Sequence, residues 1–363
     1  MKRVILIMLS VLMICSIVFG GCGKPAEETP TTPTTPEVET ISWRWTSFSP
    51  YPGNFPPFYE AWAKELEEAS GGRLKITFYW AESLVKLAGA FDAVASGTAD
   101  IGDLSVGMYP DRFPLVIGFS LPVGFESSVQ TGQTVIAMFN KYKELRDAFL
   151  PTRVLWWHAV GPRLNIVSKR PVQTVEDLKG LKIATTSKYE IAVWNKLGAV
   201  PVPILSTEQY QALQTGIIDA SGGDWNQMYL WRYYEVTKYR TDTGFGNMGG
   251  YPALINIDSY NKLPADIKQE FDTLTDPMKM TVHMCKDSWM EYVFGPSGSI
   301  EKMKEFDRKQ GNPEWYVLPA AEQDKILKAI WPINDQWISE MEAKGLPGKA
   351  FVDDLVAFAK QYK

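Results

Sequence analysis

The sequence predicts an α/β protein of two lobes, exported from the cytoplasm, and three observations lead there. Residues 164–228 alternate short apolar runs with well-capped helices, a βαβαβ rhythm. At 363 residues the chain exceeds the common size of one domain, so two cores are the natural expectation. The N-terminus has the layout of an export signal followed by a tether. Composition agrees with a globular body, with 13% aromatic and 22% charged residues. A net charge of −5 argues against a nucleic-acid partner, whose phosphates call for a basic face.

Lys2 and Arg3 precede an apolar run, Val4–Phe19, which ends in Val18-Phe19-Gly20-Gly21-Cys22. Small residues before a cysteine resemble a bacterial lipobox, with Phe19 where leucine is usual. Residues 1–21 are therefore expected to be a lipoprotein signal peptide, and Cys22 the lipidated new N-terminus. The alternative is an uncleaved anchor helix, for which the run is slightly short. Either way the remainder lies outside the cytoplasm, held on a membrane in the periplasm or at the cell surface. Residues 22–40 hold the lipidated Cys22 and a tether rich in Pro, Thr and Glu, with too little apolar surface to offset its ordering entropy. With Cys15 in the signal and Cys22 at the lipid site, only Cys285 remains in the folded part. No disulfide can form within it, and Cys285 reads as a small buried hydrophobe.

The folded part begins near Ile41, with Ile41–Thr46 as a first strand. Phe58, Ala61, Trp62, Glu65, Leu66 and Ala69 share a helical face closed by Gly71-Gly72. Leu74, Ile76 and Phe78 alternate with polar neighbours as a strand, a helix follows from about Val85 to Ser96, and Ala99–Leu104 is a buried strand. Met138, Tyr142, Leu145 and Phe149 repeat at helical spacing, and Arg153–Val160 is again a strand. In the second half Thr174–Asp177 and Ser206–Gln209 are capping-box patterns, and Gly180, Gly198 and Gly216 close helices. Leu181–Ala184, Val200–Ile204 and Ile217–Ala220 are the strands between them, in a parallel or mostly parallel sheet. Tyr251–Ile257 looks like a strand returning to the first lobe, followed by a helical stretch from Pro264 to about Gln310 with bends at Pro277 and Gly295-Pro296. The expected division is 41–160 plus about 249–288 as lobe I, and about 161–248 plus 289–363 as lobe II.

Several segments resemble, in shared order and spacing, the solute-binding proteins of TRAP (tripartite ATP-independent periplasmic) transporters, the DctP-like, C4-dicarboxylate-binding family. They are Ser70-Gly-Gly-Arg-Leu74, Gly97-Thr-Ala-Asp-Ile101, Leu121-Pro122, Gly161-Pro-Arg163, Lys169-Arg170-Pro171, Glu176–Ile183, Leu197-Gly-Ala199, Gln209–Gly216, Ile218-Asp219 and Tyr234-Glu-Val236. The resemblance runs from about Ile41 to the end. It implies a periplasmic-binding-protein-like fold (type II-like), with a hinge and a long helix spanning both lobes. It also implies capture of a small organic solute between the lobes and delivery to TRAP membrane permease subunits. Arg163 lies where a family arginine approaches the ligand. A second family arginine, which forks onto a carboxylate, is replaced by Ala184, and the family's usual asparagine is Gly223. The implied ligand is thus an organic acid, aromatic or sugar-like in keeping with the aromatic surplus, and not a typical dicarboxylate.

Candidate ligand residues follow the expected strand ends, where open α/β sheets bind. Arg163 would anchor a carboxylate or pair with Asp224. Asp224 would face the ligand or cap the helix that starts beside it, and Trp225 would offer a stacking face or join the core. Phe48 and Ser49 follow the first strand, Trp80 and Glu82 the second, and Ser105 the third; Tyr189, at the start of the helix after the Ala184 strand, would fill the space of the missing arginine. Trp156-Trp157-His158 and Met278, Met280 and Met284 read as core. Neither His158 nor His283 adjoins a nucleophile motif, no G-x-S-x-G occurs, and no His/Cys group has zinc spacing. The reading is of a binding protein without catalytic residues or cofactor, leaving open an oxygen-ligated Na⁺ or Ca²⁺ beside the ligand. The alternatives are an extracytoplasmic sensor domain serving a receptor, and a hydrolase on a borrowed fold.

Overall fold

A computed structural model describes residues 40–363 apart from positions 52, 110, 162–163, 186–187, 245, 247–249, 287–292, 294 and 296–297. The expected signal, Cys22 and the tether as far as residue 39 therefore lie outside the described residues, as does Arg163. In chain order the strands are β1 (Ile41–Thr46), β2 (Leu74–Tyr79), β3 (Ile101–Asp103), β4 (Thr152–Ala159), β5 (Asn165–Ser168), β6 (Lys182–Thr185), β7 (Val200–Pro203), β8 (Ala220–Gly223), β9 (Tyr239–Asp242), β10 (Gly250–Asn256) and β11 (Tyr316–Val317). They form a 5-stranded sheet of order β2-β1-β3-β10-β4 and a 6-stranded sheet of order β11-β9-β5-β8-β6-β7. Each is the floor of one lobe.

Both sheets are mixed, where the alternating pattern suggested a parallel or mostly parallel one. β1 runs parallel to β2 and β3, but β10 enters antiparallel between β3 and β4. β6 is parallel to β7 and β8, but β5 is antiparallel to both β8 and β9. The cause is the path of the chain. It leaves the first sheet after Ala159, enters the second at Asn165, and returns between Asp242 and Gly250, so the crossing strands arrive from the opposite side.

Several elements differ from their expected form for identifiable reasons. Thr174–Asp177 opens only a 3₁₀ turn, Glu176–Leu178, because the Asp177 carboxylate turns back onto the Gln173 and Thr174 N–H groups. β8 lies three residues later than the apolar Ile217–Ala220 run. Its Ala-Ser-Gly-Gly carries no apolar pattern because a Cβ at Gly222 would sit 2.6 Å from the Trp194 ring. The repeat through Met138–Phe149 is broken at Tyr142, whose extended backbone separates helices Ser128–Lys141 and Lys143–Ala148. The stretch after Pro264 is helical over Ala265–Leu274, Pro277–His283 and Ser299–Gln310. Its first break falls just before Pro277, as the ring of a proline requires.

The first lobe is built around aromatic rings. Helix Pro56–Ala69 starts on two prolines suited to a first turn and buries Phe58, Tyr59, Trp62 and Leu66. Against it sits Trp45 of β1, stacked on Tyr59 at 4.4 Å and edge-on to Trp62 at 5.8 Å. Burying such a ring contributes roughly 4–6 kcal/mol by area, an upper bound because the unfolded chain is itself partly collapsed. β4 is buried on both faces, Trp156 towards this helix and Trp157 towards a second layer, as the core reading of Trp156-Trp157-His158 anticipates. Met280, Met284 and Cys285 are buried too, and burial pushes the Cys285 thiol up to about 12.

The C-terminal third corrects the expected assignment of 289–363 to lobe II. Ile326, Ile330 and Ile333 join the second lobe's core, with Trp194 and Ile183. Trp337 and Met341 of helix Pro332–Ala343, with Phe351, Val352 and Leu355 of helix Gly348–Gln361, pack instead with Phe119 and Phe139 of the first lobe. Gln130 Nε2 donates to the Ala359 carbonyl at 2.8 Å, fixing that docking.

Candidate ligand cleft

The carboxyl ends of β1, β2 and β3 form one edge of the first lobe. Three backbone bonds join the first two loops: Ser47 N–H to the Tyr79 carbonyl, Ala81 N–H to that of Ser49, and Glu82 N–H to that of Ser47, at 2.9–3.0 Å. Ala81 and Glu82 both take left-handed backbone, at φ 51° and 60°. Non-glycine residues there cost free energy, and the turn lets consecutive N–H groups reach the β1 loop. The loops that carry Phe48 and Ser49, and Trp80 and Glu82, are thus adjacent, and Ser105 lies just past the end of β3. Trp80 is half-buried, stacked on Phe78 at 4.7 Å with Tyr51 on it at 6.0 Å; Phe48 lies 5.2 Å from Tyr251. Glu82 pairs with Lys86 at 3.4 Å.

Behind this rim lies a group that sequence reading missed. Asp103, the last residue of β3, is wholly buried and accepts from Trp45 Nε1 at 3.0 Å. Burial raises its pKa to about 7 against the hydrogen bonds from Trp45 and Ser47. Tyr59 is raised well above its ordinary value by burial and then by the Asp103 charge. His158 is lowered to about 3 by burial, in contact with Phe55 at 4.3 Å. An aspartate inside the apolar Ala99–Leu104 run was the available signal.

In the second lobe the expected residues separate. Asp224 is a helix cap: its Oδ1 accepts from the Gln227 N–H at 2.9 Å at the start of helix Trp225–Leu230. Trp225 is not a free stacking face, because it is buried and its ring meets Trp315 at 4.5 Å. Ala184 is buried in β6, and Gln227 occupies the space in front of Gly223, its Oε1 3.0 Å from where a Cβ would stand. Tyr189 falls in helix Lys188–Lys196, and its side chain lies outside the described residues. A cavity of about 520 Å³ lined by Asp242, Lys304, Asp307, Trp315 and Val317 belongs wholly to the second lobe. A guest there would touch one lobe and could not favour closure.

Among the described residues no group of three or more His, Cys, Asp or Glu could hold a metal, and no helix is long and apolar enough to cross a membrane. What the first-lobe edge offers is aromatic surface beside a few buried polar groups, residue types that small-molecule sites use. The family model for bacterial extracellular solute-binding protein, family 7 (DctP), matches residues 57–289. The chain belongs to this family.

Relatives within family 7 include a solute-binding protein of Verminephrobacter eiseniae, 28% identical over 58% of this chain and 63% of that one. Another is the C4-dicarboxylate-binding periplasmic protein DctP of Rhodobacter capsulatus, 28% identical over 48% of this chain and 49% of that one. The matched stretch thus spans about half to two-thirds of these relatives' lengths. Among solved structures, a TRAP periplasmic solute-binding protein from Desulfovibrio salexigens has a TM-score of 0.78 at 25% identity, covering 89% of this chain and 97% of that one. A marine-metagenome TRAP protein specific for aromatic acids, solved with 3-hydroxybenzoate, has a TM-score of 0.75 at 22% identity over 90% and 99%. These likenesses agree with a two-lobed fold of the family 7 kind.

Proposed function

We propose that this chain is an extracytoplasmic receptor that captures a small organic acid between its lobes and hands it, unaltered, to a TRAP-type membrane permease. The observation that carries the reading is the first-lobe edge, where Phe48, Trp80, Tyr51 and Tyr251 present aromatic surface around a few fixed polar groups. That surface suits a ring or another flat body, and solved relatives hold benzoate, mandelate and glucuronate. Arg163 supplies the positive charge for the carboxylate. With Ala184 in place of a second arginine, a single carboxylate is the better match. The ligand favours closure through contacts that the open form lacks. Lipidation of Cys22 tethers the receptor to the membrane, with residues 23–40 as the leash.

Mass spectrometry of compounds released on denaturing freshly purified protein tests the reading. An organic acid is expected, and titration of that acid should show at least tenfold weaker binding in a folded Arg163→Ala variant, the loss of a charge-assisted hydrogen bond being worth about 1.5–3 kcal/mol. Unchanged affinity would remove Arg163 from the site. Turnover of the released compound by the pure protein would replace the reading with an enzymatic one.

A further inference from the structure

The cavity of about 520 Å³ in the second lobe is lined from helix Ser299–Gln310 on one side and from the ends of β9 and β11 on the other. Asp307 fixes its walls. Buried on the helix, that carboxylate accepts from Arg240 of β9 at 2.8 Å, from Trp315 Nε1 at 2.9 Å and from Asn312 Nδ2 at 2.9 Å. The helix is thereby pinned to the sheet, and the chain that turns at left-handed Gly311 is pinned to the helix. The polar edge of Trp315 is spent in this way, so its ring is what it offers a guest, beside Ile300 and Val317. Asp242 and Val317 stand side by side as the last residues of β9 and β11.

The remaining charged groups are what a guest would meet. Asp307 is neutralised by Arg240, which leaves Asp242 and Glu314 against Lys304 and Arg308, a sum of zero. Asp242 is half-buried, accepts the Gly244 N–H at 2.8 Å and a hydrogen bond from Trp225, and feels the Lys304 charge. Burial outweighs all three and raises its pKa, so its carboxylate is still short of positive charge. Lys304 is shared with Glu301 at 3.0 Å, and its ammonium lies 5.8 Å from the Trp315 ring centre. Arg308, one turn further along the helix, is exposed and has no ion pair among the described residues.

These groups select by elimination. A lone anion placed against Trp315 would face Asp242, and a lone amine would face Lys304 and Arg308. A neutral apolar guest would strip water from the Asp242 carboxylate and give nothing back. A guest with an ammonium for Asp242, a carboxylate for Arg308 and a ring for Trp315 meets all of them. An aromatic amino acid has those three parts, and the cavity is of a size that holds such a molecule.

We propose that this cavity is a second small-molecule site, lined by one lobe only and separate from the interlobe cleft, and that it takes a zwitterionic amino acid with an aromatic side chain. The site goes beyond the capture of an acid between the lobes and does not depend on it.

Calorimetric titration of the full chain with L-phenylalanine at millimolar concentrations tests this, with 3-phenylpropionate and 2-phenylethylamine as controls that each lack one charge. Phenylalanine should bind at least about fivefold tighter than either, because each control gives up a charge-assisted contact. Arg308→Ala should weaken phenylalanine at least about fivefold, towards the affinity of 2-phenylethylamine, and Asp242→Asn by as much, towards that of 3-phenylpropionate. An asparagine keeps the acceptor for the Gly244 N–H, and Arg308 is exposed, so Arg308→Ala carries the test should Asp242→Asn fail to fold by circular dichroism. No binding of phenylalanine, equal binding of a control, or folded variants that keep the wild-type affinity would each overturn the site. Capture of an acid through Arg163 stands or falls separately, by the compound released from purified protein and the Arg163→Ala titration.

Discussion

Asp103 of β3 and His158 of β4, strands separated by β10 in one sheet, give opposite pH dependences. His158 has a folded pKa of about 3 against an ordinary 6.5. As pH falls below about 6.5 the unfolded chain takes up a proton there and the native chain does not, so native stability is lost towards pH 3. Asp103 has a folded pKa of about 7 against 3.8. Its contribution is fully present below about pH 4 and is lost as pH rises towards 7, because the unfolded carboxyl ionises first. Between about pH 4 and 6.5 the two slopes offset one another. Asp103→Asn removes one of them, so its urea-unfolding free energy should fall on acidification from pH 6.5 to 4 by up to about 1.4 kcal/mol per unit more than wild type. Parallel pH profiles for the two proteins would show that the Asp103 carboxyl is not raised by burial as described. Asp224 makes a second prediction at this scale. Asp224→Ala should cost about 1 kcal/mol through the lost cap and Asp224→Asn only a few tenths, read by thermal unfolding. Should Asp224→Asn, with the cap kept, weaken ligand binding tenfold, the side chain has a role in the cleft as well.

At the scale of elements, the second lobe depends on close packing around its glycine-rich strand and on one buried ion pair. Gly222→Ala would push a methyl group into the Trp194 ring, and overpacking of that kind costs about 1–3 kcal/mol. Arg240, wholly buried in β9, pairs with Asp307 at 2.8 Å, and Trp315 and Asn312 also donate to that carboxylate. Asp307→Ala should destabilise by about 3–5 kcal/mol by leaving the guanidinium buried without its counter-charge. A loss below 1 kcal/mol in denaturant unfolding would mean that water reaches Arg240. These elements also mark where sequence legibility ended. β1 and β2 were readable because apolar and polar residues alternate there, and helix Pro56–Ala69 because its apolar face recurs at helical spacing. β8 was not, because its residues are chosen for small size beside Trp194 and not for strand propensity. Phe48, Ser49, Trp80, Glu82 and Ser105 do follow the ends of β1, β2 and β3, which the strand patterns located. The buried carboxyl of Asp103 was missed because it sits in an apolar pattern that reads as core. Trp225 was left open between a stacking face and the core, and its burial against Trp315, remote in sequence, agrees with the core.

At the scale of the whole molecule, the chain passes between the two sheets repeatedly. It crosses after Ala159 and after Asp242, and again near Trp331-Pro332, where Ile330 belongs to the second core and Trp337 to the first. Short crossings of this kind are the connections about which hinge closure occurs in two-lobed folds, and helices Pro332–Ala343 and Gly348–Gln361 add a third link by packing on the first-lobe core. The mixed order of both sheets follows from the same crossings and could not be read from strand patterns alone. The resemblance of residues 161–239 to TRAP receptors carried the fold further than periodicity did. A guest that touches both edges ties the bodies together, and its binding free energy appears as closure. Small-angle X-ray scattering, with and without a saturating amount of the acid recovered from the purified protein, tests this most directly. The radius of gyration should fall on addition of the acid and return when it is dialysed away chemically unchanged. Superimposable curves at full occupancy would contradict the account.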